Sequence, residues 1–210
     1  MIKLTKGREY MEQMKYSASL TSDAFLYFEL KQVLKLKKDG IADKDLRKII
    51  LEKNVFEYKS AKGGSRVIST VIKRANVLDD TLREMVLTDP INTGKIINLY
   101  TIMKTSRIFY EFMDEVIREK LEKNIGFIEK KDINIFFTEK AEQNQIVENW
   151  SETTVAKLKQ VIFKILFEVG IIEDKINGKL NRLLIEPELR DYLISQGDKK
   201  YLKAMGEYFD

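Results

Sequence analysis

The sequence predicts an all-α protein of two small helical subdomains, with helix-turn-helix-like elements and one short β-hairpin near the C-terminus. Three observations predict it. Apolar residues recur at helical spacing along almost the whole 210-residue chain. Ser, Thr or Asp precedes several of these runs as a cap, and Gly follows some of them as a stop. The composition joins 44% hydrophobic to 33% charged residues with only 2 Pro and 10 Gly, a mix that suits a helix-rich globular chain. A chain of this length buries about 70% of the surface its unfolded form exposes and needs no covalent staples.

The first run, Leu26, Leu30, Val33 and Leu34, predicts a helix capped by Thr21 or Ser22 and stopped after Lys38 by Gly40. Asp43 is the expected cap of the second, which turns Leu46, Ile49 and Ile50 inward. KGGS at 62–65 reads as a loop, after which Ser65 caps a helix to about Leu78 on the stripe Val67, Ile68, Val71, Ile72 and Ala75. In TDPINTG, residues 88–94, Pro90 lacks an N–H and biases Asp89 away from helix. The domain boundary is placed there, dividing residues 1–89 from 90–210.

Beyond it the spacing predicts helices over about 93–104 and 107–122, the latter capped by Ser106, and shorter ones over 131–140 and 142–149. WSETTVAKLKQVIFKIL, residues 150–166, opens the longest helix. Ser151 is its cap, Trp150 can staple onto Val155, and Glu152 suits the first turn. Gly170 ends it. Asn177-Gly178, set among β-branched and apolar residues, predicts a type I′ turn and a hairpin over 171–185. A last helix follows Pro187.

The chain holds no Cys and no His. Thiolate and imidazole chemistry are therefore excluded, together with the usual zinc sites. No convergent acid or base stands out, so no enzyme activity, metal or cofactor is expected. Thr93-Gly94-Lys95 has the look of a phosphate loop, but Asp89 stands where that motif needs Gly and no strand precedes it. Glu-x-Lys triplets recur at Glu29, Glu57, Glu129 and Glu173 and are background. No apolar run approaches the roughly 18–20 residues of a membrane span, and the opening lacks a signal peptide's apolar stretch. The expectation is a cytoplasmic protein with no membrane partner.

The net charge of +4 is unevenly placed: residues 1–78 carry 17 basic and 9 acidic residues, 79–150 carry 10 and 14, and 151–210 carry 10 of each. The basic excess points to an acidic partner of the N-terminal third. Two elements could meet it. From Tyr58 to Leu78 there is no acid. Lys59, Lys62, Ser65, Arg66, Ser69, Thr70, Lys73 and Arg74 are the candidate nucleic-acid contacts, on the second helix of a helix-turn-helix outline. A Gly-rich loop opening that helix could also present backbone N–H groups to phosphate. The second face is Thr153, Lys157, Gln160 and Lys164, spaced 4, 3 and 4 on the long helix, open to nucleic acid or to a protein partner. A helix followed by an Asn-Gly hairpin is the element order of a winged helix. Each face has a plainer reading, a solvated surface over a packed helix.

Three long phrases in this order resemble the BrxA family: KYSASLTSDAFLYFELKQVLKLKKDG at 15–40, KIINLYTIMKTSRIFYEFMDEVIREKL at 95–121 and FFTEKAEQNQIVENWSETTVAKLKQVIFKILFEVGII at 136–172. That family comprises small proteins of BREX (bacteriophage exclusion) defence islands. The resemblance implies an all-α protein, similar in part to the NusB antitermination fold. It implies a non-enzymatic role in a system that methylates host DNA and blocks phage replication. It also implies neighbours that include a DNA methyltransferase, an alkaline-phosphatase-like protein and large ATPases. It carries no catalytic or base-reading motif onto these residues. Three readings follow: a DNA-binding accessory protein whose partner is double-stranded DNA held mainly by phosphate contacts, a protein–protein adaptor of the same system, or an RNA-binding protein of the NusB type.

Overall fold

The computed structural model describes residues 14–22, 24–59, 61–174 and 178–209, and at 61–63 the backbone alone. Ser22–Thr105 forms one compact unit; Ser106–Asp210 forms the other together with the chain up to Thr21. These divisions fall at 21/22 and 105/106. Asp89 and Pro90 instead join two helices of the same unit, so the kink that proline imposes serves a tight turn there.

In the unit Ser22–Thr105 the helices are α1 (Tyr27–Lys38), α2 (Asp43–Glu52), α3 (Ala61–Asn76), α4 (Asp80–Thr88) and α5 (Ile91–Thr105). Helix α3 packs on α1, α2 and α5, and α4 on α1 and α5. Helix α5 is buried almost all round, from Thr93 to Met103, as befits a central helix. Leu30, Val33, Leu34, Leu46, Ile50, Ile68, Val71 and Ala75 meet in the core, while Ile72 is half-buried.

Three expectations are corrected here. Helix α1 starts at Tyr27, well after Thr21 and Ser22. The carbonyls of Ala24 and Phe25 are taken by side chains instead: Arg74 Nη1 donates to both, at 3.1 and 3.0 Å, and Asn98 Nδ2 donates to Phe25 at 2.5 Å. Asp43 is the first residue of α2 rather than its cap. Its carboxylate accepts from Lys37 and Asn76, and these bonds hold it below the usual carboxylate range. Finally, KGGS is not a loop, because α3 already begins at Ala61 and Ser65 lies inside it. Gly64 lets the Tyr58 ring close on the first turn, since a Cβ there would stand 3.1 Å from Tyr58 Cδ2. Tyr58 is fixed in turn by its hydroxyl, which donates to Glu29 Oε1 at 2.6 Å.

The other unit opens with a 3-10 turn at Ser19–Thr21. Helices α6 (Arg107–Phe112) and α7 (Arg118–Glu122) run on through a π turn at Met113–Ile117. Then come α8 (Lys130–Gln143), α9 (Gln145–Glu148), α10 (Glu152–Val169), α11 (Pro187–Ser195) and α12 (Lys199–Ala204). Phe112 meets Phe136 edge-on, ring centroids 5.2 Å apart. Leu158, Val161, Ile162, Ile165, Leu166 and Val169 form the buried stripe of α10. Ser151 caps that helix by accepting from the Thr154 N–H at 3.2 Å, and Gly170 closes it at φ +89°. Ser106 occupies a cap position without a side-chain bond to the helix.

The hairpin over 171–185 is not found, and Asn177 lies outside the described residues. Only isolated bridges occur among the described residues, Ile172 with Leu180 and Phe127 with Lys179. Residues 178–180 share their backbone bonds between two neighbours: Ile128 N–H donates to Gly178 at 2.8 Å and Leu180 N–H to Gly126 at 2.9 Å, while Glu173 N–H donates to Lys179 at 3.0 Å. The wing of a winged helix is therefore missing as a paired ribbon.

Candidate nucleic-acid interface

Helix α3 sorts its basic residues by the face on which they fall. Val67, Ile68, Val71 and Ala75 are buried, and Arg66, Ser69 and Lys73 stand exposed opposite them, as a period of about 3.6 residues requires. Ser65 and Thr70 are half-buried on the margins, and Lys59 is exposed just ahead of the helix. The side chain of Lys62 lies outside the described residues.

Arg74 does not belong to this surface. It is 1% exposed and spends its guanidinium on the carbonyls of residues 24 and 25. Its position beside the apolar stripe decides this: a long side chain there reaches inward. Burial of a cation is tolerated because it is hydrogen-bonded. Lys73 is exposed but tethered, its Nζ donating to the Thr105 carbonyl at 3.2 Å, where α5 ends with unpaired carbonyls.

Arg47 of α2, absent from the sequence-derived set, joins the surface by donating from Nη2 to Ser65 Oγ at 2.8 Å. Only the pairing of α2 with α3 reveals it, although its place one residue from the buried Leu46 marks it as an outward residue. The segment between these helices, residues 53–60, is longer than the three- or four-residue turn typical of a helix-turn-helix. The start of α3 presents no Gly-rich loop, so the phosphate-cradle expectation for 62–66 falls with it. Thr93 and Gly94 are buried in α5, and a Cβ on Gly94 would run into the Tyr27 hydroxyl at 2.2 Å. That glycine is a packing residue.

On α10, Thr153, Lys157, Gln160 and Lys164 are all exposed and share one face, as their spacing predicts. Two further lysines join them. Lys159 donates to Asn134 Oδ1 at 2.7 Å and sits 5.6 Å from the centre of the Phe137 ring, and Lys130 comes from the start of α8. Lys130, Lys157, Lys159, Gln160 and Lys164 border a groove of about 530 Å³, and Thr153 lies outside it.

A second set of charges in the same unit is turned inward. Lys140, 5% exposed, bonds Glu111 at 3.0 Å and Glu115 at 2.6 Å. Glu111 also accepts from Tyr16 at 2.6 Å and from Arg107 at 2.7 Å. Burial works to raise the Glu111 carboxyl, but these hydrogen bonds and the Lys140 charge hold it below the usual range. Burial prevails at Glu115 and pushes it up. The Tyr16 hydroxyl is raised by burial and by the Glu111 bond. The cluster is a structural knot in which every charge has a partner, with Glu115 at its edge bordering a surface recess. Among the described residues no group of His, Cys, Asp or Glu could hold a metal. No helix among them is long and apolar enough to cross a membrane.

Residues 14–197 match the profile of the BrxA family. A relative named BREX protein BrxA, from Bacillus cereus (strain H3081.97), is 33% identical over 93% of this chain and 98% of its own length. A second of the same name, from Paramagnetospirillum magneticum (strain ATCC 700264 / AMB-1), is 20% identical with the same coverage. A crystal structure described as an uncharacterized protein from Magnetospirillum magneticum superposes with a TM-score of 0.79, at 20% identity, over 91% of this chain and 98% of that one. This likeness shows a shared fold.

Proposed function

Because the chain belongs to the BrxA family, we propose that it serves as a non-catalytic accessory protein of a BREX phage-defence system and grips duplex DNA through the outward face of α3. One observation carries this reading: Lys59, Arg66, Ser69 and Lys73 stand exposed along a stretch, Tyr58 to Leu78, that contains no acidic residue. Cations without local carboxylates attract phosphate, and contacts of this kind hold any sequence. Arg47 lies beside them and adds a further donor. The lack of His and Cys supports the non-catalytic part. A methyltransferase, a phosphatase-like protein or an ATPase of the same system is the partner class that family membership suggests.

Binding of the full chain to a labelled random-sequence duplex, measured by fluorescence anisotropy at several salt concentrations, tests the reading. Neutralising about four phosphates gives a slope near −3.6 in log K against log salt. No binding at low salt would overturn it. An RNA of matched length belongs in the same titration, because the basic face of α3 offers no feature that chooses between the two. Preference for RNA would move the assignment to the NusB-type reading.

A further inference from the structure

The groove between α8 and α10 has a chemistry of its own. Its rim carries Lys130, Lys157, Lys159 and Lys164, and no carboxylate lines it. Among the described residues Lys130, Lys157 and Lys164 pair with no acid. Its floor is apolar: Ile133 and Val161 are nearly buried beneath it, and Phe163 is half-buried at its side. Phe167, one turn further along α10, is 41% exposed and prolongs the apolar strip. At about 530 Å³ the groove falls within the range of roughly 300–1,000 Å³ that holds specific ligands.

The Lys159–Asn134 hydrogen bond walls off one end. Beyond that wall lies a separate recess of about 340 Å³ whose lining includes Glu142 and Glu148. The seam between α8 and α10 is thus basic on one side of the wall and acidic on the other. Phosphate backbone would satisfy the lysines but leave the apolar floor wet. A chain that offers both carboxylates and an apolar anchor would satisfy both.

We propose that this groove docks an acidic amphipathic segment of a partner protein, its apolar residues on Ile133, Val161 and Phe163 and its carboxylates on the lysine rim. The mode is that of a helix laid in a groove, in which apolar anchors supply affinity and the charged rim supplies register and encounter rate. It is separate from the α3 reading and survives if that one fails.

The test uses the full chain and a fluorescein-labelled helical peptide of about 15 residues, roughly four turns, with Leu at i, i+3, i+4 and i+7 and Glu on the flanking positions. Controls are the same peptide with Ser for Leu, the same peptide with Lys for Glu, and the labelled duplex. Anisotropy gives affinity, and amide chemical shifts on α8 and α10 give location. The acidic amphipathic peptide is expected to bind at the groove and both controls to bind at least about tenfold more weakly, a difference of about 1.4 kcal/mol. The K157E/K164E variant, altered only at exposed positions, should lose at least as much. Phe163→Ser should weaken binding too, with a melting curve to verify the fold. Failure of the acidic peptide to shift these amides, or equal binding of the Ser peptide, would overturn the proposal. So would competitive displacement by duplex together with a loss of duplex affinity in K157E/K164E, which would make the groove a nucleic-acid surface.

Discussion

Helices α3 and α10 both turn basic side chains to solvent over an apolar stripe, and in sequence the two faces look alike. Their surroundings differ. The cations of α3 stand on the outward face of the helix with polar Ser69 between them, whereas those of α10 ring a hollow with an apolar floor. Charge alone therefore does not name a partner: the same lysines ask for phosphate over a polar face and for an amphipathic chain over an apolar one. A second contrast runs through each unit, between cations turned outward and one turned in, Arg74 in the unit Ser22–Thr105 and Lys140 in the other.

The inward cations offer the largest test of this contrast. Arg74→Met leaves the carbonyl of Ala24 without its Arg74 donor and that of Phe25 with Asn98 alone, and should cost about 3 kcal/mol of stability in a urea titration. Among folded molecules its DNA salt slope should stay that of the wild type, because Arg74 faces no solvent. A reduced slope would return it to the binding face. Lys140→Met should cost roughly 2–3 kcal/mol near neutral pH, less than a fully buried pair because Glu115 is partly exposed. Its sign with pH is definite. A lowered Glu111 contributes stability that is present above the ordinary carboxylate range, about 4.3, and is lost as pH falls through its folded value. Without Lys140 both glutamates lose a neighbour that favours their charged form, and they repel when ionised. The deficit should therefore shrink as pH drops through that range, and a deficit constant with pH would contradict the ion-pair account.

The outward cations come next. R66A/K73A should lower duplex affinity by about tenfold or more at low salt and flatten the slope by about 1.8, roughly 0.9 for each lost contact. An unchanged slope would remove these residues from the interface, and a change limited to one contact would show that Lys73 stays tethered to Thr105. K157E/K164E should leave the slope attributable to α3 intact while abolishing peptide binding, which is the sharpest separation of the two faces. The smallest effect belongs to Ser151→Ala, which removes the cap of α10 and should cost about 1 kcal/mol with both binding activities retained.

The helices themselves were legible because burial stripes repeat locally: the stripe on α10 and its Ser151 cap can be read within a few residues. What was missed depended on distant partners. The sequence predicts a start for α3 at Ser65, later than the observed Ala61, because Gly64 packs against Tyr58, which is held in turn by Glu29 on another helix. The spacing of Arg74 points to the surface, but the carbonyls it serves lie some fifty residues earlier. Asn177-Gly178 predicts a hairpin, but residues 178–180 also bond to the distant residues 126–128, and only isolated bridges form among the described residues. At the candidate sites, the exposed faces of α3 and α10 followed from periodicity, whereas the groove needed Lys130 and Ile133 from α8, which no single-helix pattern contains.

The pinning of residues 24 and 25 also says where the protein can be cut. Arg74 and Asn98 hold that segment from α3 and α5, so both helices are tied to the stretch that leads into α1, and they share the Phe25 carbonyl. A fragment ended at residue 89 would strip away α5 and half of that anchor. One ended at residue 105 keeps both donors and every helix that carries the basic face, and so marks the shortest piece that a dissection should attempt to express.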